Sequence, residues 1–482
     1  MFYSKDDDKL REECGVFGIF APGEAVALNT YWGLYALQHR GQESAGIAVT
    51  DGCQMDVQRG MGLVNEVFRQ GLPSMAAHIA IGHVRYSTTG SSLLCNTQPL
   101  MVSYAGGRIS LAHNGNLTNA SELRGELEKQ GGVFQTSIDS EVIVSLIARS
   151  TKPTVEERIT ESLARVKGAY CLVIMTEEKL IGVRDPHGFR PLCVGKLNDG
   201  WVIASESCAL DTVGAEFYRD VRPGEMVVID KDTITFSQFV QGDRQALCIF
   251  EYIYFARPDS IIDGQSVYEA RLQMGRELAR ESGIRGDIVI SVPDSGTTAA
   301  IGFSYESGIP FAEGLMKNRY VGRTFIQPEQ KKRDTSVRMK LNSVTSVVEG
   351  KSVIMVDDSI VRGTTSGKIV RMLKEAGAKA VHMCVSSPPI GYPCYFGIDT
   401  SMRKDLIASS KAIDEIRQFI GADSLHYLSI EGLERSVPNL SPKHMCYACF
   451  NCDYPSSVPQ TSESGDKYMF EAKSKCESCG GC

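Results

Sequence analysis

The chain has 482 residues, 43% of them hydrophobic, and a formal net charge of −7. That length suits two or three domains, and the acidic balance argues against a general nucleic-acid binder. No run of about 18 apolar residues occurs, so no membrane span is expected.

Residues 1–13 are charged and end at Glu12 and Glu13, without the apolar core of a signal peptide. We expect a cytoplasmic protein whose first 13 residues are a propeptide. Fifteen cysteines in such a reducing setting suggest catalysis or metal in preference to disulfides. From Cys14 to Phe20 the apolar residues alternate as in a strand. Cleavage before Cys14 would leave a free α-amine, with a pKa of about 7.7–8.0, to take the thiol proton. The plainer alternative is a buried strand cysteine.

Further along, residues 35–46 are polar and glycine-bounded. In residues 82–90, Arg85 suits a bidentate grip on a carboxylate. Asn114 beside Gly115 offers an amide and a backbone N–H to an oxyanion. Asp139 opens a predicted helix and can hold an ammonium group. Each segment alone is weak, since Asn-Gly is usually only a turn.

Together and in this order they resemble class II glutamine amidotransferases, which are N-terminal-nucleophile (Ntn) hydrolases. The resemblance implies a four-layer sandwich with antiparallel sheets between helices. It implies that Cys14 attacks the glutamine amide, that Arg85 and Asp139 hold the glutamine carboxylate and amine, and that Asn114 and Gly115 form the oxyanion hole. Residues 184–192 and 204–207 also match, and we assign them mainly to structure, with His187 as a hydrogen-bonded scaffold residue.

A strand at 225–230 is expected to close this domain, and a polar link follows at 241–245. After the aromatic segment 248–260, residues 286–292 form an apolar strand, and the small loop Asp294, Ser295, Gly296 leads into a helix. Such a loop fits a pyrophosphate, and Ser295 can contact magnesium. The run from Lys317 through Lys331, Lys332, Arg333, Arg338 and Lys340 is basic. Beside a doubly phosphorylated substrate it reads as a closing loop. Residues 352–356 form a second buried strand, followed by Asp357, Asp358 and the turn Arg362, Gly363, Thr364, Thr365, Ser366. Ile369, Val370 and Leu373 then share one helical face, so a helix is expected from about there to Gly377. Two carboxylates at a strand end can bind adjacent ribose hydroxyls or face magnesium, and backbone N–H groups at a helix start can hold a phosphate. A Walker B strand is excluded because no Walker A loop exists: Thr345 stands where Gly350-Lys351-Ser352 would need its earlier glycine. A third strand is predicted over 381–386. Repeated strand–loop–helix units argue for a parallel α/β sheet with ligands at its carboxyl edge.

Residues 353–366 resemble the phosphoribosyl pyrophosphate (PRPP) loop of type I phosphoribosyltransferases. The resemblance implies that Asp357 and Asp358 bind the ribose hydroxyls and Mg2+, while 362–366 hold the 5-phosphate. The tail carries Cys446, Cys449, Cys452 and, further on, Cys476, Cys479, Cys482. Cysteine spacing alone leaves iron–sulfur and zinc open, and leaves Cys452 an alternative to Cys446. The family resemblance implies a [4Fe–4S] cluster on Cys248, Cys394, Cys446 and Cys449; the last three cysteines have no assigned role.

The expected organisation is therefore a propeptide (1–13), a glutamine amidotransferase domain (14–245), a phosphoribosyltransferase domain (246–430) and a Cys-rich tail (431–482). The first domain is expected to release ammonia from glutamine, and the second to attach it to C1 of PRPP. The products would be 5-phosphoribosylamine, glutamate and pyrophosphate, opening purine synthesis. A homotetramer, inhibition by the purine nucleotides AMP, GMP and ADP, and no nucleic-acid or membrane partner complete the expectation. A glucosamine-phosphate or asparagine synthetase is disfavoured by the loop at 357–366. A non-catalytic PRPP sensor would not need Cys14, Arg85 and Asn114 together.

Overall fold

The computed structural model describes residues 14–87, 90–318, 341–400, 403–458 and 470. The expected propeptide, most of the basic loop and Cys476, Cys479 and Cys482 lie outside them. The chain divides into two compact units. One comprises Glu12–Leu247, Tyr395–Ser401 and Pro455–Cys482; the other includes Cys248–Cys394 and Met402–Tyr454.

The first unit contains thirteen strands among the described residues: β1 (Gly15–Phe20), β2 (Ser44–Thr50), β3 (Met55–Met61), β4 (Ile79–Arg85), β5 (Leu100–Tyr104), β6 (Gly107–Leu117), β7 (Gly168–Met175), β8 (Leu180–Arg184), β9 (Cys193–Leu197), β10 (Gly200–Ala204), β11 (Glu216–Asp220), β12 (Glu225–Ile229) and β13 (Ile234–Gln238). They form two antiparallel sheets, ordered β11-β9-β10-β1-β4-β2-β3 and β13-β12-β8-β7-β6-β5. Strand β1 shows why they stack. Its Val16 and Phe20 join Ile79 and Ile81 of β4 and Val173 and Leu180 of the other sheet in one core. Its Phe17 and Ile19 point the other way, into a second core with Val26 and Leu34 of the helix Val26–Ala36. The far face of the second sheet is covered in turn. Leu111, Leu172 and Ile181 pack there with Val142 and Ile143 of Ser140–Arg149 and Ile159 of Val155–Leu163. The result is the expected helix–sheet–sheet–helix sandwich. Strands covered on both faces lose the polar alternation of a half-exposed sheet, and β1 is buried throughout. The unit closes with the hairpin β12–β13, one strand beyond the strand predicted at 225–230.

The second unit is built on a parallel sheet of β14 (Ile288–Ser291), β15 (Ser352–Asp357), β16 (Ala380–Val385) and β17 (Ser424–Tyr427), in that spatial order. Ile290, Met355, Met383 and Val385 pack with Ile369, Val370 and Leu373 of the helix Thr364–Glu375 and Ile416 and Ile420 of Ile413–Ile420. That first helix starts earlier than expected. Gly363, at φ +77°, is its N-cap, so Thr364, Thr365 and Ser366 form its first turn. The apolar period begins only at Ile369, which hides a first turn made of small polar residues. Residues 431–454 do not stand apart as a tail. The helix Ile430–Arg435 is fastened to the helix Val267–Ser282 by Arg435, whose Nε reaches Glu277 Oε2 at 2.7 Å and whose Nη2 reaches Glu281 Oε1 at 2.8 Å. Among the described residues, no helix is long and apolar enough to cross a membrane.

The helices Val267–Ser282 and Thr297–Ser307 meet through two glycines. A Cβ on Gly275 would lie 1.8 Å from the Ala299 carbonyl oxygen, and one on Gly302 would lie 1.9 Å from that of Leu272. The obstacles are backbone atoms of a packed helix, which cannot rotate aside. Gly275→Ala is therefore expected to destabilise the protein by about 1–3 kcal/mol, despite alanine's better helix propensity. A melting curve no lower than that of the parent protein would contradict this packing.

Candidate active sites

Cys14 stands at the head of β1, between β4 and β10. Its thiol donates to the Tyr86 carbonyl at 3.3 Å, and its own carbonyl accepts from Arg40 Nε at 3.1 Å. Arg40 is fully buried and donates through Nη1 to Glu206 Oε1 at 2.6 Å, while His39 Nε2 meets the same oxygen at 2.7 Å. Burial alone would raise the Glu206 carboxyl, but His39 and Arg40 outweigh it and hold it far below the usual range. The second strand residue is fixed as well: Val16 N donates to Ser205 Oγ at 2.9 Å. Burial pushes the Cys14 thiol up to about 11, against the lowering effects of the Tyr86 backbone and of Arg85.

Arg85 directly precedes Tyr86, whose carbonyl takes the Cys14 thiol, and both Arg85 and Asp139 lie near enough to act electrostatically on that thiol. Arg85 is buried and donates to the carbonyls of Gly90 and Ser91, each at 3.3 Å. Asp139 accepts from Leu117 N at 2.9 Å and Ser140 Oγ at 3.3 Å, and lies 3.6 Å from His113 Nδ1. Burial would raise its carboxyl, yet His113 and these donors hold it below the ordinary range, so it stays ionised at neutral pH. Asn114 sits in β6, buried, with neither Oδ1 nor Nδ2 partnered. An orphaned buried amide is costly, on the order of 1–3 kcal/mol, and such a group is a candidate for meeting a ligand. Gly115 follows at φ +145°, and a Cβ there would lie 2.1 Å from the Ala169 carbonyl oxygen. Only glycine fits. His187 holds the Arg244 carbonyl at 2.7 Å, in keeping with its scaffold reading.

At the carboxyl edge of the parallel sheet, two loops are brought together. Gly296 caps the helix Thr297–Ser307, and a Cβ on it would lie 2.6 Å from the Val356 carbonyl oxygen and 3.1 Å from Asp357 Cα. The loop with Asp294 and Ser295 is thereby pressed against the strand end that carries Asp357 and Asp358. Both of these acids are buried; Asp358 N donates to Asp357 Oδ1 at 2.9 Å and Ser359 Oγ to Asp358 Oδ1 at 2.6 Å. Beyond them Gly363 opens the helix Thr364–Glu375, whose early N–H groups point out of its end. Thr364 Oγ1 is buried without a partner, Ser366 is buried, and Arg362 Nη2 lies 3.6 Å from Asp405 Oδ2. Lys317 Nζ reaches Asp294 Oδ2 at 2.6 Å. It ends the strand Leu315–Lys317, which pairs with Leu341–Ser343, so the described ends of the basic loop are tied together beside Asp294.

The four cysteines named by resemblance also converge. Burial, then Cys248, Cys446 and Cys394, push the Cys449 thiol upward. Backbone bonds tie the segments: Ile249 N to the Cys446 carbonyl at 3.4 Å, and Gly391 N and Tyr392 N to that of Cys449 at 3.1 Å each. Cys452 is exposed at φ +65°, at the end of the short helix Ala448–Asn451. Among the described residues, no three side chains already stand in ligand geometry for a single metal ion. The donor set, four thiols on three converging segments, nevertheless fits a thiolate-held cluster in kind.

Sequence reasoning missed two supports. One is the buried Arg40–Glu206 pair behind Cys14, which lies within segments read only as matching or structural. The other is the segment at 395–400. Asn116 Nδ2 donates to the Tyr395 carbonyl at 3.0 Å, and Arg190 Nη2 to that of Phe396 at 2.7 Å. The Phe189 and Phe396 rings stack at 4.2 Å. Separations of 279 and 206 residues leave no local signal to read.

Comparison with known proteins places both units in known families. Residues 83–212 match the family model for a glutamine amidotransferase domain, and residues 305–389 the one for a phosphoribosyl transferase domain. A Bacillus subtilis protein named amidophosphoribosyltransferase is 52% identical over 456 residues, 94% of this chain and 96% of that one. Its Archaeoglobus fulgidus namesake is 54% identical over 454 residues, 92% of this chain and 98% of that one. The solved structure of the B. subtilis glutamine PRPP amidotransferase complexed with ADP and GMP superimposes with a TM-score of 0.88 at 51% identity, covering 93% of this chain and 98% of that one. With a thiol site and a phosphate-type loop on the two matching domains, the chain belongs to the amidophosphoribosyltransferase family.

Proposed function

We propose that this chain makes 5-phosphoribosylamine from PRPP and glutamine, as the entry step of purine synthesis, with Cys14 as nucleophile and its own α-amine as base. The observation that carries the reading is the buried Cys14 thiol, bonded to the Tyr86 carbonyl directly after Arg85, with Gly115 and the Asn114 amide, unpartnered among the described residues, in the sheet that packs against β1. With residues 1–13 removed, the α-amine takes the thiol proton and the thiolate attacks the glutamine amide carbon. Asn114 Nδ2 and the Gly115 N–H receive the oxyanion. Collapse of the adduct expels ammonia and leaves a thioester, which water hydrolyses to glutamate. Arg85 and Asp139 hold the two ends of the amino acid.

In the second unit, Asp357 and Asp358 bind the ribose hydroxyls. The first turn of Thr364–Glu375, with Arg362, Gly363, Thr364, Thr365 and Ser366, holds the 5-phosphate. Asp294, Ser295 and Gly296 face the pyrophosphate. Ser295, Asp357 and Asp358 are oxygen donors suited to Mg2+, which when bound neutralises charge on the leaving pyrophosphate. Cys248, Cys394, Cys446 and Cys449 would hold a [4Fe–4S] cluster in a structural role. A cytoplasmic homotetramer inhibited by AMP, GMP or ADP completes the reading. The inhibition is supported by the bound ADP and GMP of the B. subtilis structure. It is supported also by a second solved neighbour, 51% identical to this chain and described as the allosteric regulatory enzyme of purine biosynthesis.

A buried thiol at about 11 leaves roughly one molecule in ten thousand ionised at pH 7. A chain that keeps residues 1–13 is therefore expected to lack glutaminase activity. Mass spectrometry of active enzyme should find Cys14 first, and an intact Met1 in fully active protein would refute the amine mechanism.

Two variants separate the half-reactions. Cys14→Ala should abolish glutamine-dependent synthesis while keeping synthesis from added ammonia. Asp357→Asn should lower both by about a hundredfold or more. Unchanged PRPP kinetics in Asp357→Asn would end the ribose assignment.

The cysteine site is tested by metal analysis and stability. Purified protein should contain iron and sulfide, and Cys394→Ser should lower its melting temperature by roughly 10 °C, as expected for loss of a covalent clamp. Metal-free protein of unchanged stability would leave these thiols as core residues.

A further inference from the structure

Phe470 is the one described residue beyond 458, and it belongs to the glutaminase unit. It is partly buried against the core formed by Leu123, Val142 and Ile143. Its ring stands under the guanidinium of Arg124, whose Cζ lies 4.8 Å from the ring centroid; the same carbon lies 4.3 Å from the centroid of Phe134. Arg124 therefore lies over two aromatic rings, one from the loop before Asp139 and one from the far end of the chain. Its side chain is only 12% exposed.

Arg124 is also wired into that loop. Its Nη1 donates to the Thr136 carbonyl at 2.9 Å, and its Nε to Glu128 at 3.1 Å. The loop is pinned from behind: Gln135 N, Thr136 N and Thr136 Oγ1 all donate to the Glu141 carboxylate at 2.7–2.9 Å. Ser137 exchanges hydrogen bonds with the Asn96 side chain at 2.8 and 2.9 Å. Two residues later comes Asp139. Val133, at the loop's outer tip, is 84% exposed, so this side of the loop has little other cover.

We propose that Phe470 is a positioning residue for the glutamine half-reaction: it clamps Arg124 onto Phe134, and so braces the loop that presents Asp139 to the substrate amine. Phe470 is then a support of the glutaminase site supplied by the same chain. Shielding a guanidinium between two ring faces strengthens its attraction to both and restricts its rotamers, which fixes the Thr136 carbonyl. Without Phe470, Arg124 regains solvent and the loop gains freedom. The loss falls on binding of the substrate amine and leaves the thiol chemistry intact.

The inference rests on Asp139 holding the glutamine amine. The test is steady-state kinetics of full-length, processed Phe470→Ala, Phe470→Tyr and Asp139→Asn, with glutamine and, separately, with ammonia as nitrogen donor. Phe470→Ala is expected to raise KM for glutamine about threefold to tenfold, the range of a partly shielded cation–π contact, with kcat and ammonia-dependent synthesis unchanged. Phe470→Tyr, which keeps the ring, should restore the parent KM. A glutamine KM within twofold of the parent in Phe470→Ala overturns the proposal, as does an equal fall of both activities, which would mark general structural support. An unchanged glutamine KM in Asp139→Asn would instead refute the assignment of Asp139, a separate result.

Discussion

The glutaminase unit depends on one buried ion pair, Arg40 with Glu206. Both side chains are out of solvent, and each is satisfied by more than the other: Glu206 also meets His39, and Arg40 also holds the Cys14 carbonyl. A buried pair adds little net stability over an apolar substitute, yet breaking it costs on the order of 3–5 kcal/mol because one charge is left stranded. That asymmetry suits the nucleophile role proposed for Cys14. Under the proposed removal of residues 1–13, the head of β1 would have no preceding chain to restrain it. The Arg40 guanidinium and the Ser205 hydroxyl, which takes the Val16 N–H, then fix its direction.

Polarity around the thiol follows the same economy. Asp139 is kept ionised by His113, Leu117 N and Ser140 despite its burial. His83, buried beneath, is driven down to about 3 and stays neutral, its Nε2 donating to the His113 carbonyl at 2.9 Å. Near the thiol lie the anion Asp139 and the cation Arg85, the latter 3.9 Å from a second buried carboxylate, Glu43. Among the described residues the buried Asn114 amide and His83 Nδ1 have no partner, and the Asn114 amide is the group proposed above to meet the oxyanion.

The phosphoribosyltransferase unit works by other means. Its two ligand loops are held by backbone proximity, because Gly296 lets one loop lie against the end of β15. Positioning and charge neutralisation dominate where the leaving group is already good. A parallel sheet with helix starts along its carboxyl edge supplies both with few side chains.

Much of this was legible in the order of residues. The strand–Asp357–Asp358–turn–helix signature is local, so its chemistry is written within about fifteen positions, and the structure moved only the helix start, to Thr364. The nearness of Arg85 and Asp139 to Cys14 was readable only through a resemblance to a family, since nothing local shows that they meet. What only the tertiary structure decided are the interactions that span the chain: Arg40 against Glu206, Asn116 and Arg190 on the carbonyls at 395–396, Arg435 on Glu277, and Phe470 on Arg124. None of these residues has a period, a spacing or a turn that marks its partner. Amino-acid sequence determines local structure through short-range sterics and hydrogen bonding, and it therefore announces strands, caps and phosphate loops. Pairings across 150 to 350 residues are selected by burial and by the satisfaction of buried charge, which exist only once the sheets have stacked.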